Sequence, residues 1–227
     1  MNMFNGATAF NQNISAWNVA NVSPTDFSTG SALTAQNTPP SFLLSLDANG
    51  VTVKYVGRHV DVPVSEPLFI YANTRSTGNE WFAVVKQSTT MKNAISNYAS
   101  SLNNALFTPP GQTPVLFNNI VTTHMTDMSY MFNAIASFNG LIASWDTSNV
   151  TTMQQMFGNV VEFNQPIGAW NTAKVTSMNN MFMNAHAFNQ NISAWNTGAV
   201  TDMSGLFLRA TAFNQNISAW NTGAVTT

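Results

Sequence analysis

Residues 175–199 read VTSMNNMFMNAHAFNQNISAWNTGA, and the segments on either side read almost the same. From Met128 to the C-terminus the chain repeats every 25 residues without a slip. The columns are Met128, Met153, Met178, Met203; Phe132, Phe157, Phe182, Phe207; and Phe138, Phe163, Phe188, Phe213. They continue as Ile142, Ile167, Ile192, Ile217; Trp145, Trp170, Trp195, Trp220; and Val150, Val175, Val200, Val225. A fixed period of this length is the mark of stacked repeats, each one coil of a solenoid. Catalysis needs unique residues in unique places, whereas a repeat supplies one surface many times. The period therefore argues for display and binding.

Within a coil, Val175, Met178, Met181, Phe182 and Ala185 are three and four residues apart, which predicts one or two helical turns. The polar remainder, from Phe188 to Thr197, fits a turn and one short strand. The expected architecture is an α/β repeat fold: a solenoid of 25-residue coils, each a short strand plus a short helical turn.

The period also appears at the N-terminus. Met3, Phe4, Phe10, Ile14, Trp17 and Val22 carry the repeat spacing, so residues 1–24 read as a partial coil. After Pro24 the pattern is lost, and it returns at Met125, which holds the Val position. Between them, Ser28–Pro40 is rich in Ser, Thr, Asn, Gly and Pro and reads as a linker. Strand-like runs follow at Val51–Val56, Leu68–Tyr71 and Trp81–Val85. Met91, Ile95, Tyr98 and Leu102 then have helical spacing, and Thr108–Pro114 ends that helix. The expected organisation is a partial coil (1–24), a linker with an inserted β-β-β-α module (25–120), and a solenoid of four repeats (121–227).

Only 7% of the 227 residues are charged, against about 25% in an average protein. With a net charge of −2 there is no basic stripe for nucleic acid and no polybasic segment for an anionic membrane. No apolar run is long enough to span a bilayer. There is no cysteine, hence no disulfide and no thiolate metal site. The N-terminal Met1-Asn-Met-Phe-Asn-Gly6 lacks the basic start and apolar run of an export signal.

The repeat motif, as in Val175-Thr176-Ser177-Met178 through Phe188-Asn189-Gln190 and Trp195-Asn196-Thr197, resembles the BspA-like surface-protein repeat. That repeat occurs in mycoplasma lipoproteins, in bacterial surface proteins and in large DNA viruses of algae. The segments Glu80–Val85 and Thr108–Gly111 are similar to a stretch that accompanies such repeats in algal-virus proteins. The resemblance implies a leucine-rich-repeat-like solenoid with a surface or adhesive role and no enzymatic chemistry. The missing export signal and lipobox cysteine point away from the lipoprotein version and toward a virus-encoded one.

The Met, Phe, Ile and Trp columns are expected to form the repeat core, and Asn139, Asn164, Asn189 and Asn214 an Asn ladder that pairs with backbone groups. His59, His124 and His186 have no cluster of further ligands, so no metal site and no cofactor are expected. No nucleophile elbow or phosphate-binding loop is present. Asp127 and Asp202 share a column and read as solvated surface. Any chemistry would have to lie in the unrepeated insert, where Lys54, His59, Glu80 and Trp81 are the first groups to mutate. Sequons at Asn13, Asn21, Asn149, Asn191 and Asn216 follow largely from the repeat itself.

The expected function is therefore a non-enzymatic structural or protein-interaction surface, on a virus particle or a cell exterior. The alternative is a carbohydrate-binding or adhesin module, with Asn, Ser and Trp side chains on the sugar. Joining Val225-Thr226-Thr227 to Met1–Phe4 regenerates the motif one residue short, which suggests head-to-tail self-association. The expected partner is a protein or glycan at a surface, with no nucleic acid and no membrane span.

Overall fold

The computed structural model describes residues 7–14, 43–57, 59–72, 79–101 and 105–227. The linker Ser28–Pro40 lies outside these residues, as do Met3, Phe4, Trp17, Val22 and Leu102. Residues 7–14 keep one feature of the repeat: Phe10 N–H donates to the Ala7 carbonyl at 3.0 Å, as Phe213 does to Ala210 at 3.1 Å.

Among the described residues, five strands and one α-helix precede the regular repeats. Strand β1 (Leu44–Leu46) pairs antiparallel with β2 (Val53–Tyr55), across a turn in which Asn49 Oδ1 accepts the backbone N–H groups of Val51 and Thr52. Strand β3 (Leu68–Ala72) pairs antiparallel with β4 (Glu80–Lys86), and β4 pairs in parallel with β5 (Ile120–His124). Between β4 and β5 runs α1 (Thr89–Ser101), whose start is fixed by Ser88 Oγ accepting the N–H of Met91. Met91, Ala94, Ile95, Tyr98 and Ala99 form its buried stripe.

Phe82–Val85 of β4 are wholly buried because both faces of the strand are covered. Ala83 and Val85 face α1 and join a core that continues through every repeat. Phe82 and Val84 face a second, smaller core with Leu44, Val53, Tyr55, Ile70 and Val121.

The leucine-rich-repeat-like solenoid of strand-plus-helix coils is not what the chain forms. Among the described residues, regular structure is confined to two small sheets, of two and three strands, the α-helix α1 and three short 3-10 turns. Residues 125–227 contain no helix or strand; each repeat is a succession of turns, joined to the next by isolated bridges linking Asp127, Thr152, Ser177 and Asp202.

The backbone shows why the helical spacing misleads. Asn180 and Asn184 have φ of 52° and 57°, and left-handed residues recur at the same places in each repeat: Tyr130 and Ala134, Gln155 and Asn159, Gly205 and Arg209. A right-handed helix cannot pass through them. Instead, N–H groups alternate between two partners. Those of Met178, Asn180, Phe182 and Asn184 donate to Asp202, Ser204, Leu206 and Leu208 of the next repeat, at 2.8–2.9 Å. Those of Met181, Met183 and Ala185 donate three residues back, closing tight turns. Apolar residues three and four apart thus share a face through consecutive turns.

The aromatic columns stack between these bonds. Phe157 lies 5.6 Å from Phe132, 5.5 Å from Phe182 and 4.0 Å from Phe163, all nearly parallel. It is fully buried. Replacing Phe157 with Ala should cost about 3–5 kcal/mol, the range for a buried Phe with little room to collapse. Urea unfolding of both proteins measures this directly, and Asn164→Ala on the exposed side should cost far less.

Candidate functional site

The inward columns absorb the large side chains. Met128, Phe132, Phe138, Ile142, Trp145, Met153, Phe157, Phe163, Trp170, Met178, Phe182, Phe188 and Trp195 are all buried. Met203, Phe207, Phe213 and Trp220 of the last repeat are partly buried against them. Each indole N–H is used internally: Trp145 donates to the carbonyl of Phe117, Trp170 to Ile142, Trp195 to Ile167 and Trp220 to Ile192, at 2.8–3.2 Å. An aromatic sugar platform cannot come from this column.

The Asn column lies on the outside. Asn139, Asn164 and Asn189 each accept, on Oδ1, the backbone N–H of the Asn one repeat later, at 2.9–3.0 Å. Gln165, Gln190 and Gln215 donate their amides to the same column. A second exposed column, Thr151, Thr176, Thr201 and Thr226, donates each hydroxyl to the carbonyl one repeat earlier. Both columns are uncharged and alike from repeat to repeat.

The register breaks where the repeats meet the insert. Phe117 occupies the Ile column, Ile120 the Trp column and Met125 the Val column, so residues 117–127 are the second half of a preceding repeat. The Thr122 hydroxyl donates to Asp146 as Thr147 does to Asn171. Strand β5 thus serves both the sheet and the repeats. Gly140 stands where later repeats have Gln; a Cβ there would meet the Phe138 ring at 2.9 Å and the Phe117 ring at 3.3 Å. The exposed column Leu116, Leu141, Pro166, Asn191, Asn216 is apolar near the insert and polar farther away. A groove of about 480 Å³ opens at the apolar end, lined by Glu80, Leu116, Phe117, Asn118, Asn119, Gly140 and Leu141. Sequence reasoning missed this groove; its signal is the departure of residues 116, 140 and 141 from their columns.

The groups singled out in the insert go to different partners. Lys54 pairs with Asp47 at 2.9 Å, Trp81 lies against Tyr71, and Glu80 accepts from the amide of Asn119. His59 meets His124 edge-to-face at 4.4 Å, which the sequence did not bring together. His186 is exposed on the third repeat. Asp127 accepts from Lys92 at 3.0 Å. Burial opposes its charge, but the Ser129 backbone N–H and hydroxyl and the Lys92 ammonium hold its carboxyl below the usual range. Asp202, at the same column, is held low chiefly by the Ser204 backbone N–H. Among the sequons, Asn149 donates to the Thr123 carbonyl, Asn191 and Asn216 are exposed, and Asn21 lies outside the described residues. Among the described residues no three His, Cys, Asp or Glu are grouped to hold a metal ion, and no helix is long and apolar enough to cross a membrane.

A chain of turn-built repeats with its aromatics inside and polar ladders outside is a repeat protein. The sequence matches a family described as Mycoplasma protein of unknown function, DUF285, over residues 1–36 and 89–220, and the chain belongs to that family. The match resumes at Thr89, the first residue of α1, so β1–β4 lie outside it. No curated protein and no solved structure is significantly similar to the chain.

His124 sits where the insert meets the first repeat. Burial, then His59 and Lys86, lower its pKa to about 4, while Asp146 acts in the opposite direction. Its Nε2 and the Asp146 Oδ2 are buried without a hydrogen-bond partner. A folded pKa below the ordinary 6.5 means that this site binds its proton more readily when unfolded. Stability should thus be full above about pH 6.5 and decline as pH falls toward 4. With His124 only half buried, solvent screening trims the loss to about 1–2 kcal/mol. Chemical denaturation at pH 7 and pH 4.5 should show a smaller difference for His124→Asn than for the parent.

Proposed function

We propose that this protein is non-enzymatic and presents a structural or protein-interaction surface, with the junction groove and the outward columns as its contact faces. One observation carries the reading. The repeats bury most of their aromatic side chains, while the outward Asn and Thr columns are uncharged and hydrogen-bonded from one repeat to the next. Such a surface suits contact rather than bond-making. The BspA-like motif supports the finer reading, a surface repeat of that type on a cell exterior or on a particle of the algal-virus kind.

Surface proteolysis of intact source cells and of purified particles tests the placement. Trypsin should cut at the exposed Lys174 and Arg209 and release residues 175–209 without lysis. Recovery of that peptide only after lysis would contradict it. For the contact itself, Leu141→Asn installs the residue that later repeats carry in this column (Asn191, Asn216). The variant should keep the parent's Tm and lose partner binding; unchanged binding would remove the groove from the account.

A further inference from the structure

We infer that a polar cleft between α1 and the first repeat, capped by Tyr130, is a binding site for one ring of a neutral carbohydrate. Tyr130 carries the argument. It occupies a position whose residues have φ of 61°, 50°, 52° and 61° in the four repeats. The later repeats place Gln155, Asn180 and Gly205 there. Asn and Gly tolerate a left-handed backbone, whereas a bulky aromatic does so only at a cost. Gln155 shares this left-handed backbone, so what is confined to the first repeat is a bulky aromatic at that place, the sort of outlier that marks a functional site. Nor does folding need the ring, for Tyr130 is about half exposed, at 49%.

The ring borders a cleft of about 260 Å³. That is below the roughly 300–1,000 Å³ of pockets for drug-sized ligands and suits a single small ring. α1 contributes Lys92 and Asn93 one turn in from its start, with Gln87 just before it; the first repeat contributes Asp127 and Tyr130. Lys92 Nζ and Asp127 Oδ2 are 3.0 Å apart, so the charges offset one another and the cleft favours an uncharged ligand. Together they offer an acceptor beside a donor, the complement of two neighbouring hydroxyls. Gln87 is held in place by its Oε1, which accepts the N–H groups of Thr126 and Asp127 at 3.0 Å. The face of a tyrosine ring is electronegative and attracts the weakly positive C–H face of a pyranose, while polar groups take its hydroxyls. These residues belong to one repeat and the insert, so the site occurs once. It stands apart from the contact surface proposed above.

Saturation-transfer NMR with the methyl glycosides of glucose, galactose, mannose and N-acetylglucosamine tests the assignment. At least one should bind with a Kd of about 1 mM or tighter. Tyr130→Asn, which installs the residue found at this place in the third repeat, should weaken that binding at least about tenfold. It should melt at or above the temperature of the parent, because strain is relieved. Lys92→Met, which keeps the aliphatic stem, should weaken binding without altering the Tyr130 backbone. No saturation transfer from any of the four glycosides would overturn the proposal, as would a Tyr130→Asn variant that binds like the parent.

Discussion

The hydrogen bonds that cross from one repeat to the next hold the rest of this structure in place. A tight turn leaves half of its N–H groups pointing along the stack, and a buried N–H without a partner is costly. The next repeat supplies the carbonyls, as Asp202, Ser204, Leu206 and Leu208 do for the third repeat. The same contact fixes the spacing at which Phe157 meets Phe182 and Trp170 meets Trp195. Backbone pairing and aromatic stacking therefore form or fail together. The left-handed residues at two places in each repeat are what turn the chain so that both can occur.

The insert solves the problem of beginning such a stack. The first repeat needs a neighbour on its open side, and residues 117–127 provide one in the form of a half-repeat. Residues 117–125 pack on the first repeat on one side, and β5 within them pairs with β4 on the other. The core of the repeats runs without interruption into the core under α1. This fusion produces the groove at Gly140 and Leu141, the His59–His124 contact and the Tyr130 cleft. All three are absent from the regular part of the chain, since they need residues from both sides of the junction.

The 25-residue register is plain in the sequence, and it assigns Phe157, Trp170 and Asn164 to their columns before any coordinate is known. The local structure was not legible in the same way. Spacings of three and four at Met178, Met181, Phe182 and Ala185 suit a helix and also suit consecutive turns. What separates the two is the left-handed backbone at Asn180 and Asn184, residues that also tolerate ordinary helix. The half-repeat was hidden because Phe117 and Ile120 replace Ile and Trp. Neither β1 nor β5 stands out in the sequence: β1 is three residues long, and β5 falls at the start of the segment that the period assigns to the repeats. The groove and the His59–His124 contact depend on packing between the insert and the repeats, segments that no period relates.

Native-state hydrogen exchange tests most directly whether the crossing bonds hold the repeats together. The amides of Gln155, Phe157 and Asn159, and of Asn180, Phe182 and Asn184, all donate to the following repeat. On this account they open in one cooperative step, with a shared free energy close to that of global unfolding. Exchange of either set at the rate of an unstructured chain, or opening of one repeat while its neighbours stay protected, would contradict it.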